Sequence, residues 1–133
     1  MPEKKTLERA RQDAREGKAP STQAGEFVRE EIEHVRAGKH GARNSRQAIA
    51  IGLSKARRAG VKLPAPGRGT SRRTRRKAAQ DTRAAKRRAG GRTSTRRSRA
   101  TTKALRREGH RAGSKGALSR QARSAARRRR RSR

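Results

Sequence analysis

A chain of 133 residues carries 42 Lys and Arg against 10 Asp and Glu, a formal net charge of +32, with 27% hydrophobic residues, one aromatic (Phe27) and no cysteine. This balance provides too little apolar surface for one ordinary core of that length, rules out disulfides and thiolate metal sites, and calls for a polyanionic partner. No stretch approaches the ~20 apolar residues of a membrane span, and the opening MPEKKTLERARQDAREGK holds no apolar run of a secretory leader, so a cytoplasmic protein without membrane contact is expected.

The charge is unevenly placed. Residues 1–63 hold 15 Lys and Arg and 8 Asp and Glu, a net of +7. Residues 64–133 hold 27 Lys and Arg against only Asp81 and Glu108, a net of +25. The large aliphatics run the other way: Val28, Ile32, Val35, Ile49, Ile51, Leu53, Val61 and Leu63 cluster in residues 28–63, and beyond them only Leu105 and Leu118 remain.

In chain order, residues 4–16 are charged and helix-forming, with Leu7 as their only large apolar side chain. Pro20 disfavours helical geometry at Ala19 and ends that arm, residues 1–20. Ser21 or Thr22 is the expected N-cap of an amphipathic helix over 22–37, because Ala24, Phe27, Val28, Ile32 and Val35 recur at spacings of three and four. Gly38 and Gly41 interrupt the pattern. Asn44 or Ser45 then caps a helix over 46–59, with Gln47 at capping-box spacing from Asn44. Ile49, Leu53 and Ala56 form its expected inward face, while Ile51 points away and invites a partner such as a second copy of the chain. Gly60, Val61 and Pro64 make a C-terminal stop, with Arg57 and Arg58 at the negative end of the helix dipole. Residues 21–63 therefore read as a helix–loop–helix hairpin.

Residues 64–70 are a Pro/Gly linker, and residues 71–133 a basic low-complexity tail. Glycines divide the tail into segments near 71–89, 94–108 and 117–131, each rich in Ala, Arg and Lys. Free in water such segments repel themselves and are expected to be coil, turning helical when phosphates neutralise them. The fold class is thus mostly α: a small hairpin followed by a long disordered or conditionally helical Arg-rich tail.

The stretch QAIAIGLSKARRAGVKLP, residues 47–64, together with STQAGEFVREEIEHVRAGKHGARNS before it, resembles a family of small basic bacterial proteins of unknown function. Its members are sometimes labelled histone-like or plasmid-stabilisation proteins. The resemblance covers about residues 1–66 and implies a bacterial source but no established activity. The tail separately resembles those of linker histones and protamines, in composition alone.

Residues able to do chemistry are few. His34 and His40 could approach each other across the hairpin with Glu30 or Glu31 nearby, whereas His110 lies far away. Zinc sites ordinarily need more ligands at tighter spacing, so no metal is expected and the histidines read as solvated. Glu26, Glu30, Glu31 and Glu33 read as a solvated polar face paired with Arg29 and Arg36, or else as an acidic patch for the protein's own tail. No nucleophile and base share a recognisable arrangement, so no enzyme, cofactor or small-molecule substrate is expected. Gly38-Lys39-His40-Gly41 is not a Walker motif; it is a loop that could touch a phosphate through backbone N–H groups.

The basic clusters carry the functional reading. They are Arg57 and Arg58; Arg68; Arg72, Arg73, Arg75, Arg76 and Lys77; Lys86, Arg87 and Arg88; Arg96 and Arg97; Arg106 and Arg107; and Arg127, Arg128, Arg129, Arg130 and Arg131. Such side chains bind phosphates by releasing condensed counterions, without reading sequence. Single-strand modules stack bases on aromatics, and this chain has one Phe. The expectation is a histone-like, nucleoid-associated protein that binds and compacts DNA. The alternatives are an RNA- or ribosome-associated protein, or an interaction module anchored by its basic tail.

Overall fold

The computed structural model describes residues 2–67, 70–87 and 95–131. It contains helices α1 (Lys4–Arg15), α2 (Pro20–Arg36), α3 (Ser45–Arg58), α4 (Arg72–Arg87), α5 (Thr95–Arg106) and α6 (Lys115–Arg131), with a 3-10 turn at Arg111–Gly113 before α6. No strand occurs among the described residues, so the chain is mostly α.

Local chemistry sets the hairpin's boundaries. Asn44 Oδ1 accepts the Gln47 N–H at 2.9 Å, and Gln47 Oε1 accepts the Arg43 N–H at 2.6 Å. Asn44 is therefore the cap of α3, although the glutamine reaches back one residue further than a capping box requires. At the other end Gly60 takes φ +100. Its N–H bonds Arg57 O, and the Val61 N–H bonds Ala56 O, the paired closure of a Schellman motif. Gly38 ends α2 in the same way, with Gly38 N–H on Val35 O and Lys39 N–H on His34 O. The start of α2 differs from expectation. The helix begins at Pro20, with Thr22 and Gln23 N–H both on Ala19 O. Proline's fixed φ suits the first helical position and its missing N–H costs nothing there, so Ser21 and Thr22 lie inside the helix.

The chain forms two compact units, Met1–Glu30 with Ile51–Thr93, and Glu31–Ala50 with Ser94–Arg133. In the first unit, Ala10, Ala24, Phe27 and Ala56 are buried, flanked by Leu7, Leu53, Val61 and Leu63. Gly52 sits against α2 so closely that a Cβ there would fall 2.6 Å from Val28 Cα. In the second unit, Val35, Ala42, Ala48 and Ala112 form a small core. The Ser45 hydroxyl donates to Ala112 O at 2.6 Å, and Arg36 Nε donates to Gly113 O at 2.5 Å.

Three expectations need correction. The buried line of α3 is Ser45, Ala48, Gly52 and Ala56, with Ile49, Ile51 and Leu53 half-buried beside it. Small side chains allow close helix approach, and the larger ones flank the contact. Glu30 and Glu31 are not solvated; both are buried, at 4% and 1% exposure. Glu30 Oε1 accepts the backbone N–H of Glu3, the N-cap of α1, at 2.6 Å, which sets a carboxylate at the positive end of that helix. Finally, the described part of the tail is helical over α4, α5 and α6, close to the three glycine-bounded segments. Ala and Arg have high helix propensity. Burial of Ala78, Asp81 and Ala112 then supplies the tertiary anchors that composition does not reveal.

Candidate nucleic-acid interface

The interface begins with an acidic residue. Asp81 lies on α4 with its side chain 2% exposed. Its Oδ2 accepts the Ser54 hydroxyl at 2.7 Å, and its Oδ1 accepts Arg58 Nε at 2.7 Å and Lys77 Nζ at 2.8 Å. Burial pushes its carboxyl up, but the hydrogen bonds from Lys77, Ser54 and Arg58 outweigh burial and hold it below its ordinary value. The carboxylate is therefore ionised and saturated. It fastens α4 to α3 and leaves little negative potential at the surface.

That contact fixes which way α4 faces. Ala78 and Asp81 are buried and Ala84 and Ala85 half-buried. Arg72, Arg76 and Arg83 recur at four and seven residues on the opposite side, all exposed. On α6 Ala117, Leu118, Gln121, Ser124, Ala125 and Ala126 are half-buried, whereas Arg123, Arg127 and Arg130 are exposed. Each helix thus presents exposed guanidinium groups one or two turns apart.

The expected residues fall into three groups. Arg73, Arg75, Lys86, Arg96, Arg97, Arg106, Arg107, Arg129 and Arg131 are exposed, as are the outward residues just named. Arg57 and Arg58 are committed to the fold: Arg57 Nη2 bonds Pro64 O at 3.1 Å, and Arg58 shares Asp81 with Lys77. Arg128 is exposed as well, and Arg87 closes α4. Arg68 and Arg88 lie outside the described residues. Most N–H groups of the Gly38–Gly41 loop are taken within the fold, those of Gly38 and Lys39 by the end of α2. The Gly41 N–H bonds Leu105 O at 2.8 Å, and the Ala42 N–H bonds Gly109 O at 3.0 Å.

Sequence reasoning missed one feature altogether. In the second unit a groove of about 390 Å³ is lined by Arg43, Asn44, Ser45, Arg111, Ala112, Ala117, Arg120, Gln121 and Ser124. Three guanidinium groups, from the N-terminal edge of α3, the 3-10 turn and α6, converge there with no acidic residue in the lining. Asn44, as a capping residue, was the only visible hint, because Arg111 and Arg120 are distant in sequence. Arg83 was likewise passed over as an isolated charge between Ala and Thr.

Residues 16–68 match a family of unknown function (DUF6496). The match takes in α2, α3 and the start of the linker. It leaves most of the charge, including α4 and α6, outside. No match to a curated protein or to a solved structure was found. No described helix is long and apolar enough to cross a membrane.

Proposed function

We propose that the protein binds nucleic acid by phosphate neutralisation, with duplex DNA as its main target, and acts as a histone-like, nucleoid-associated protein that compacts it. The observation that carries this reading is the outward placement of arginine on α4 and α6, in a segment whose charge is +25, while Asp81 is buried beneath α4. Cations so arranged neutralise phosphates without contacting base edges, giving tight, salt-sensitive and sequence-indifferent binding. Counting only formal charge, the protein neutralises about 16 base pairs of duplex, at one phosphate charge per ~1.7 Å. The tail helices carry like charges at i,i+4, so phosphate contact relieves repulsion and strengthens them.

Phe27 is 1% exposed. With the chain's one aromatic in a core, no platform exists for stacking unpaired bases, which favours duplex over single strands. Structured RNA remains the competing target, and a protein partner bound by the hairpin, or a second copy joined through it, the third. Crosslinking in cells followed by sequencing of the recovered nucleic acid separates these readings. Broad genomic DNA coverage is expected. Enrichment of ribosomal RNA, or recovery of one dominant protein without nucleic acid, would overturn the DNA assignment.

A further inference from the structure

We propose that Glu31, His34 and His40 form a binding site for one divalent transition-metal ion, Zn2+ in the first instance. Glu31 and His34 stand three residues apart on α2 and share a face of that helix. The Schellman turn at Gly38 folds the chain back and returns His40 to them. The rings of His34 and His40 meet edge to face, with centroids 6.0 Å apart. His40 Nε2 lies 2.8 Å from Glu31 Oε1. One ligand atom from each of the three residues falls within 4.8 Å of the other two.

The orientation of His40 carries the inference. Its Nδ1 lies 2.9 Å from Gly41 O. A carbonyl can only accept, so Nδ1 bears the proton, and in a neutral ring Nε2 then presents its lone pair to the Glu31 carboxylate. Two lone pairs at that distance require a positive centre between them: a proton on Nε2, or a metal ion. Holding Nδ1–H on a backbone carbonyl while offering Nε2 is how proteins orient a ligating histidine. Bonds of ~2.0–2.1 Å in a tetrahedral site set ligand atoms about 3.3 Å apart. Glu31 and His40 would part by about half an ångström, and His34 would close the third position. The fourth falls to solvent. Two imidazoles and one carboxylate suit Zn2+, Co2+ or Ni2+ and do not suit Mg2+ or Ca2+, which take oxygen donors.

The ion would lock the end of α2 to the loop whose Gly41 and Ala42 N–H groups hold Leu105 O and Gly109 O. Because those bonds tie the loop to the basic tail, binding would stabilise the second unit by mass action. The chain's net charge of +32 opposes cation binding, so the test belongs at about 0.3 M salt, where that field is screened.

The experiment uses the full-length protein with Co2+ as the spectroscopic probe and Zn2+ as its competitor. The expected result is one equivalent of Co2+ with tetrahedral d–d absorption, displaced by Zn2+. In proton NMR, Co2+ should selectively shift or broaden the ring signals of His34 and His40 and spare His110. This readout on the unaltered chain does not depend on any variant folding. His40→Ala and Glu31→Gln should each weaken binding at least about tenfold, while His110→Ala leaves it unchanged. No binding up to about 1 mM metal, perturbation of His110 in place of the other two, or full affinity in folded His40→Ala would overturn the site.

Discussion

Ser54 donates its hydroxyl to Asp81 Oδ2 at 2.7 Å, linking a helix of the hairpin to the first helix of the basic tail. Arg58, one turn further along α3, and Lys77, one turn back on α4, complete the carboxylate's partners. Replacing Asp81 with Asn keeps the shape but removes the charge that both cations face. Asp81→Asn should cost about 2 kcal/mol, the scale of a charge-assisted hydrogen bond removed from a partly exposed pair. Hydrogen exchange should show faster opening of α4, with the amides of α6 unaffected.

The same pairing predicts an acid-sensitive dock. Asp81 is held below its ordinary value in the folded chain, so its stabilisation is fully present above the unfolded carboxylate pKa of about 3.9 and is lost as pH falls through the lower folded value. Exchange protection of α4 should be flat from about pH 6 to 8 and fall below about pH 4. In Asp81→Asn that acid-dependent loss should be reduced.

Gly52 allows α3 to approach Val28, where a Cβ would stand 2.6 Å from Val28 Cα and 2.9 Å from Val28 N. Backbone cannot rotate aside as a side chain could, so the helices must separate. Gly52→Ala should destabilise by about 1–3 kcal/mol despite alanine's better helix propensity. Urea unfolding of the two chains measures the difference. A more stable Gly52→Ala protein would show that the helices pack more loosely than described.

The helices were legible in the sequence through local chemistry. Asn44 with Gln47, and Gly60 with Val61, act through bonds within a few residues, so pattern alone placed the ends of α3. What stayed hidden was long-range. Ala48, Gly52 and Ala56 carry little hydropathy, and their value lies in how near another helix can come. Ile49 and Leu53 therefore looked like the centre of a face whose edge they form. Asp81 looked like a stray acid in a basic run because its partners Ser54 and Arg58 are 27 and 23 residues away. The approach of His34 and His40 with Glu31 nearby was legible from the break at Gly38 and Gly41, but Glu31 looked like a solvated polar-face carboxylate because nothing local showed that it would be buried. The groove of Arg43, Arg111 and Arg120 was hidden because its arginines come from segments far apart in sequence, with only the capping residue Asn44 marking its edge.

The outward strips can be separated from the structural cations. Arg72, Arg76 and Arg83 changed together to Gln should leave stability nearly unchanged, because Asp81 keeps Lys77 and Arg58. Affinity for unrelated duplexes should fall by a common factor, and the magnitude of the salt slope should drop by up to about 3, one for each phosphate no longer neutralised. Changing Arg127 through Arg131 to Gln should likewise weaken binding evenly across sequences. A weakening confined to one duplex would mean that these side chains read bases.

The most direct measurement is a salt titration of the full-length protein on two unrelated duplexes of equal length. Neutralisation of about ten phosphates predicts a linear fall of log K with log salt, amounting to about three to five decades between ~50 and ~200 mM. The two duplexes should stay within about tenfold of each other throughout, since phosphate contacts position without specifying. Affinity that hardly changes with salt, or a preference for one duplex beyond about a hundredfold, would contradict non-specific phosphate binding and make the protein a reader of sequence.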